Sequence, residues 1–179
     1  ANAARYDREE QLANATERVH IKKLRKLLGS KLTTGRHSQY PEVVGDINLL
    51  RYLRGSKNDI NKAAKIFTRH LAQRSFHNLD DVRDKYYPMI SSRSAFDYGY
   101  QQEELVWGEI VRAYLPMTTD APLTERGDVI CGYWYVSGRF AMLLQTHGYD
   151  RVMAYTRELS ICRQIQLDLL SRAQNRLVR

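Results

Sequence analysis

Cysteine is scarce: only Cys131 and Cys162 occur in 179 residues. That number is too small for a disulfide-stapled secreted scaffold. The two thiols read as reduced, small core residues of an intracellular protein, with one bridge between them as the alternative. Long apolar runs are also missing. The longest strongly apolar stretch, residues 129–136 (VICGYWYV), has the length of a strand and falls far short of the roughly 20 residues that span a bilayer. The opening Ala1-Asn2-Ala3-Ala4 has neither an initiator Met nor the apolar core of a signal peptide. The expected location is therefore intracellular: cytoplasmic, peripheral to membranes, or organellar.

The chemistry-bearing motifs are equally sparse. There is no Gly-rich phosphate loop closed by Lys-Ser/Thr and no Gly-x-Ser-x-Gly elbow. His20, His37, His70, His77 and His147 show no ligand spacing with the two cysteines, which argues against zinc. Asp80 and Asp81, like Glu103 and Glu104, are neighbours on expected helix surfaces, and nothing orients them as an acid and base pair. No catalytic residue, metal ligand or cofactor site is expected, so the chain reads as a non-enzyme.

Hydrophobic residues make up 43% of the chain, enough for a buried core. The net charge of +8 is unevenly spread: +5 over residues 1–40, +3 over 41–80, −4 over 81–128 and +4 over 129–179. A basic front beside an acidic middle implies an electrostatic partner: an anionic membrane surface, an acidic protein or nucleic acid. Nucleic acid is the weakest of these, because Arg-Gly repeats, an RNP-like strand and a zinc motif are all missing. The densest cations are Lys22, Lys23, Arg25 and Lys26, candidates for contact with anionic headgroups or a partner. The plainer alternative is a solvated helix end that complements the macrodipole.

Residues 7–28 lack Pro and Gly and spell a helix, acidic at its start and basic at its end, with Gly29 as its stop. Its apolar residues fall into two stripes, Leu12/Ala15/Val19 and Ile21/Leu24/Leu28. Residues 29–41 read as a polar connector. Asp46 is placed to cap a short helix with core face Ile47, Leu50 and Leu53, ended by Gly55. Asp59 is placed to cap a second, in which Ile60, Ala63, Ala64, Phe67, Leu71 and Arg74 recur at helical spacing. The pair predicts an αα-hairpin. A short helix is expected from residue 79 to Tyr86, before Pro88, and another from 103 to 114. Residues 129–136 predict a strand with Tyr133 and Tyr135 on one face and Trp134 on the other. The tyrosine face suits an apolar ligand cavity; the alternative is that both faces are ordinary core. A long helix is expected from Asp150 towards Arg179, burying Val152, Tyr155, Leu159, Cys162, Ile165 and Leu169.

The order of capped helix, polar turn and capped helix, carried by Asp46, Leu49, Leu50, Arg51, Tyr52, Leu53, Arg54, Lys57, Asp59, Ile60, Lys62, Ala63 and Arg74, resembles the N-terminal module of the CRAL-TRIO lipid-binding family. Tyr114, Pro116, Gly127-Asp128-Val129-Ile130, the aromatic strand and Gly138 follow the order of the opening of its lipid-binding domain, without the family's Pro beside Gly127. The resemblance implies a mainly α chain: an N-terminal helix and linker (1–41), the helical module (42–90), a connector (91–128), and the first strand and helix of an α/β lipid-binding domain (129–179). It implies a non-enzymatic protein that binds or transfers a phospholipid or other hydrophobic small molecule and docks on membranes. The rest of the family's pocket lies beyond this sequence, so these residues alone are not expected to enclose a lipid. The alternative is a structural or accessory subunit of a large membrane-associated or organellar complex that reuses the fold.

Overall fold

The computed structural model describes residues 12–93, Asp128 and residues 139–178. The expected strand at 129–136, with Tyr133 and Tyr135, and the expected helix at 103–114 lie outside the described residues. The chain is mainly α: every element among the described residues is an α-helix or a 3-10 turn, with no strand. The described residues fall into two compact units. One runs up to Asp81 and regains the chain at Ser171–Val178; the other comprises the described residues from Val82 to Leu170.

In the first unit, helix α1 (Ala15–Leu28) starts at a capping box. Asn14 accepts from the Glu17 amide, and the Glu17 carboxylate accepts from the Asn14 amide, so two of the unpaired amides at the helix start are satisfied together. Helix α1 ends as expected at Gly29, whose φ of 54° suits a residue without Cβ. Of its two apolar stripes the packing selects one. Ile21, Leu24 and Leu28 are buried, whereas Val19 remains 50% exposed. Residues 29–41 are more than a polar connector: 3-10 turns at Gly29–Leu32 and Arg36–Gln39 are pinned by buried Leu32 and Tyr40, and a short helix α2 (Pro41–Val44) follows, with Pro at its first position.

The αα-hairpin forms from α3 (Asp46–Gly55) and α4 (Ile60–Phe76). Asp46 does not cap α3. Gly45 holds the cap position without a side-chain bond, and the Asp46 carboxylate is taken by Arg25 instead. The buried face of α3 is Leu49, Leu50 and Leu53, with Ile47 half-buried at its margin. Leu50 and Leu53 are buried as the sequence pattern required, and Leu49 takes the place that the pattern gave to Ile47. Asp59 caps α4 as expected, accepting from the Lys62 amide at 2.9 Å. Ala63, Ala64, Phe67 and Leu71 then close on α3 and α1 in a single core. Burying each large aliphatic or aromatic side chain here stabilises the unit by about 1.5–3 kcal/mol.

Helix α5 (Leu79–Ser91) runs through Pro88 rather than ending before it. Pro88 forgoes one helical bond, and the extra turn seats Ile90 in a fully buried position. In the second unit, α6 (Arg139–His147) occupies residues for which the sequence pattern predicted no element. Helix α7 (Tyr149–Ala173) buries Val152, Tyr155, Leu159, Cys162 and Ile165 as the spacing required, while Leu170 is buried and Leu169 only half so. Helix α7 stops at Ala173 instead of continuing towards Arg179. Asn175 takes a φ of 50°, and the chain turns so that Leu177 and Val178 are buried. Ser171 anchors that return, its Oγ accepting from the Val178 amide and from Arg51 Nη2, both at 3.0 Å.

Candidate functional site

The cationic helix α1 is fixed from within. Glu17, besides closing the capping box, takes a two-pronged bond from Arg54 of α3: Nε to Oε1 at 2.8 Å and Nη2 to Oε2 at 2.9 Å. Both side chains are largely covered, so this pair is worth more than an exposed ion pair. The Arg54 hydrogen bonds hold the Glu17 carboxyl below its usual range, against the opposing effect of burial.

With Glu17, Ile21, Leu24 and Leu28 facing inward, the opposite face of α1 carries Val19, Lys22, Lys23, Lys26 and Leu27, all exposed. Three of the four expected contact cations therefore stand in solvent. The fourth, Arg25, is partly exposed and already paired. Its Nε and Nη2 hold Asp46 at 2.8 and 2.6 Å, and Nη2 also donates to the Val44 carbonyl at 2.9 Å. Arg25 thus ties the start of α3 to α1.

Two concavities flank this clamp. One, about 510 Å³, is lined by Ser38, Gln39, Pro41, Gly45 and Arg172 around Arg25 and Asp46. Gly45 is obligatory here, since a Cβ would lie 2.3 Å from the Pro41 carbonyl oxygen. The other, about 300 Å³, is a groove between α1 and α3 with Ile21, Ile47 and Leu50 along it and Arg18 and Lys22 at its edge.

A third polar cluster lies inside the hairpin. Arg74 is 1% exposed and donates through Nε (3.0 Å) and Nη2 (2.6 Å) to Asp80 Oδ1. Asp80 is thus an internal counter-ion, not the surface carboxylate its sequence position implied, and Asp81 pairs with Arg36. The His70 ring lies 5.8 Å from that of Tyr52 and 6.2 Å from that of Phe67. Its Nε2 is buried and finds no hydrogen-bond partner among the described residues. Burial first, then the charges of Arg74 and His37, push the His70 pKa down to about 4, while Asp80 pulls the other way. Burial likewise pushes the Tyr52 phenol up to about 12. Both groups are therefore neutral at neutral pH, which suits packing rather than proton transfer.

Among the described residues no group of three or more His, Cys, Asp or Glu is placed to hold a metal ion, and no helix is long and apolar enough to cross a membrane. Tyr133 and Tyr135, the expected ligand-facing pair, lie outside the described residues. The sequence signal for the Glu17 clamp was present in the spacing Asn14-x-x-Glu17. The groove had none, because it exists only through the register of α1 on α3. No protein-family model matches the chain, and searches of curated proteins and of solved structures return no match.

Proposed function

We propose that the chain belongs to a non-enzymatic protein of CRAL-TRIO type that binds or transfers a lipid or similar hydrophobic ligand. In this reading residues 42–90 are the family's helical N-terminal module, and residues 129–179 open its α/β lipid-binding domain. The observation that supports it is the α3–α4 hairpin. The residues that carry the resemblance pack as one unit, with Leu49, Leu50 and Leu53 against Ala63, Ala64 and Phe67, Asp59 as the cap, and Arg74 buried at the far end. The exposed Lys22, Lys23 and Lys26 fit attachment at the periphery of an anionic membrane, from which cargo would be taken up. Burial of the cargo's chains would contribute about 0.8 kcal/mol per CH₂, with Tyr133 and Tyr135 lining part of the cavity.

The test is native mass spectrometry of the natural full-length protein, coupled to transfer of a fluorescent phospholipid between vesicles. One retained hydrophobic ligand per protein and protein-dependent transfer are the expected results. A protein that carries no ligand and accelerates no transfer overturns the reading.

A further inference from the structure

We infer that the groove between α1 and α3 receives a short amphipathic helix with an acidic flank, contributed by a partner protein. This inference stands apart from the cargo reading and needs none of its residues beyond α1 and α3.

The shape comes first. The α1 side of the groove runs from Arg18 to Arg25, seven residues or about 10 Å of helix at 1.5 Å per residue. That is two turns, the length over which one helix presents anchors at i, i+3 or i+4, and i+7 to another. The floor is apolar: Ile21 and Leu50 are almost wholly covered, and Ile47 is half-buried along one wall. A groove of about 300 Å³ lies at the lower limit for small-molecule cavities and suits a pair of aliphatic side chains rather than the chains of a lipid.

Charge then selects among helices. Among the described residues four ionisable groups border the groove: Arg18, Lys22, Arg25 and Asp46. Arg25 and Asp46 neutralise one another. Arg18 sits across the groove end with Nη1 on the Ala13 carbonyl at 2.8 Å, a bond that leaves its positive charge uncompensated, and Lys22 is exposed. The excess among the described residues is thus two positive charges, both on the α1 side. An occupant that buries aliphatic anchors over Ile47 and sets Glu or Asp beside Arg18 and Lys22 satisfies both features, and rim charges of this kind set specificity and association rate. A membrane surface does not fit as well. The groove is concave, and Lys23 and Lys26, the other cations of the outer face, do not line it.

The experiment uses the whole chain and a fluorescein-labelled synthetic helix of about four turns, with Leu anchors at i, i+3 and i+7 and Glu on one flank. Fluorescence anisotropy at about 0.1 M salt, where screening extends over about 10 Å, reads the affinity. Saturable binding is expected. Ile47→Asp should remove it, and the pair Arg18→Glu with Lys22→Glu should weaken it about tenfold. That pair should recover binding towards a peptide whose Glu residues are replaced by Lys, an exchange of preference that an unfolded variant would not show. Lys23→Gln with Lys26→Gln should leave peptide binding unchanged. The inference is overturned if the acidic peptide binds no better than its scrambled form. It is also overturned if phosphatidylserine vesicles bind with the same Ile47 dependence and displace the peptide. Binding that emerges only after residues 1–11 are deleted would assign the groove to the chain itself and equally overturn a partner. Ile47→Asp, which touches none of the membrane-facing lysines, should leave lipid transfer unchanged, so failure here and failure of the cargo reading are told apart.

Discussion

His70 should make the first unit lose stability in mildly acidic solution. Its Nε2 is buried without a partner among the described residues, and its pKa falls from 6.5 to about 4. Because the folded-state pKa is depressed, folding favours the neutral ring. Its contribution is complete above the unfolded pKa and is lost progressively as pH falls from 6.5 towards 4. At about 1.4 kcal/mol per pKa unit the loss approaches 3 kcal/mol. The groups facing the ring set the direction: Arg74 and His37 oppose protonation, and Asp80, already engaged by Arg74, offsets only part of this. His70→Phe retains an aromatic ring beside Tyr52 and Phe67 while removing the titration. Urea denaturation followed by far-UV circular dichroism at several pH values between 4 and 7 should therefore show a shallower pH dependence in the variant. At neutral pH the variant should be as stable as the parent or more so, since an unsatisfied buried nitrogen costs about 1–3 kcal/mol. A variant with the parent's pH slope, or an NMR titration placing His70 near 6.5, would refute the reasoning.

Leu53→Ala removes a side chain with no exposed surface and should cost about 2–5 kcal/mol in the same denaturation assay; a loss below about 0.5 kcal/mol would mean that the α3 face is misassigned. Arg74→Met leaves the largely covered Asp80 without its cation and should cost about 3–5 kcal/mol, with part of the loss recovered by adding Asp80→Asn. Changing Lys22, Lys23 and Lys26 together to Gln should weaken binding to phosphatidylserine vesicles, and the parent's binding should fall steeply as salt rises from about 0.1 to 1 M, where the Debye length shrinks to about 3 Å. Adding Arg25→Gln to that triple variant should act mainly on thermal stability, because Arg25 holds Asp46 and Val44.

The parts legible in the sequence were those settled by neighbours within one helical turn. The Asp59 cap, the Gly29 stop and the spacing of Ala63, Ala64, Phe67 and Leu71 are local, and each appears in the fold. The misreadings arose where a distant residue took over. Asp46 looked like a cap because nothing in its own segment reveals that Arg25, 21 positions earlier, takes its carboxylate. The two stripes of α1 were equally apolar on paper, and only the placement of α3 and α4 decided that Ile21, Leu24 and Leu28 go inside. Pro88 marked an expected end, but burial of Ile90 carried α5 a turn further. The same long-range pair ties Arg25 to Asp46 and Val44, a tie that the spacing of the cations on α1 does not reveal.

The return of the chain at Ser171 has a consequence for how the protein is made. Arg51 lies in α3, yet one of its hydrogen-bond partners, the Ser171 hydroxyl, is 120 residues further along. At a synthesis rate of about 5–20 residues per second, α3 leaves the ribosome roughly 6–24 s before Ser171 is translated. The hairpin and α1 can collapse early on their own local contacts, but the segment that brings in Ser171, Leu177 and Val178 is translated only after the second unit. Until then the nascent first unit keeps an open seam, and the second unit has to be synthesised within that interval. A ribosome stalled before residue 171 would therefore expose a nearly folded body with its final piece missing, the state most open to capture by a chaperone.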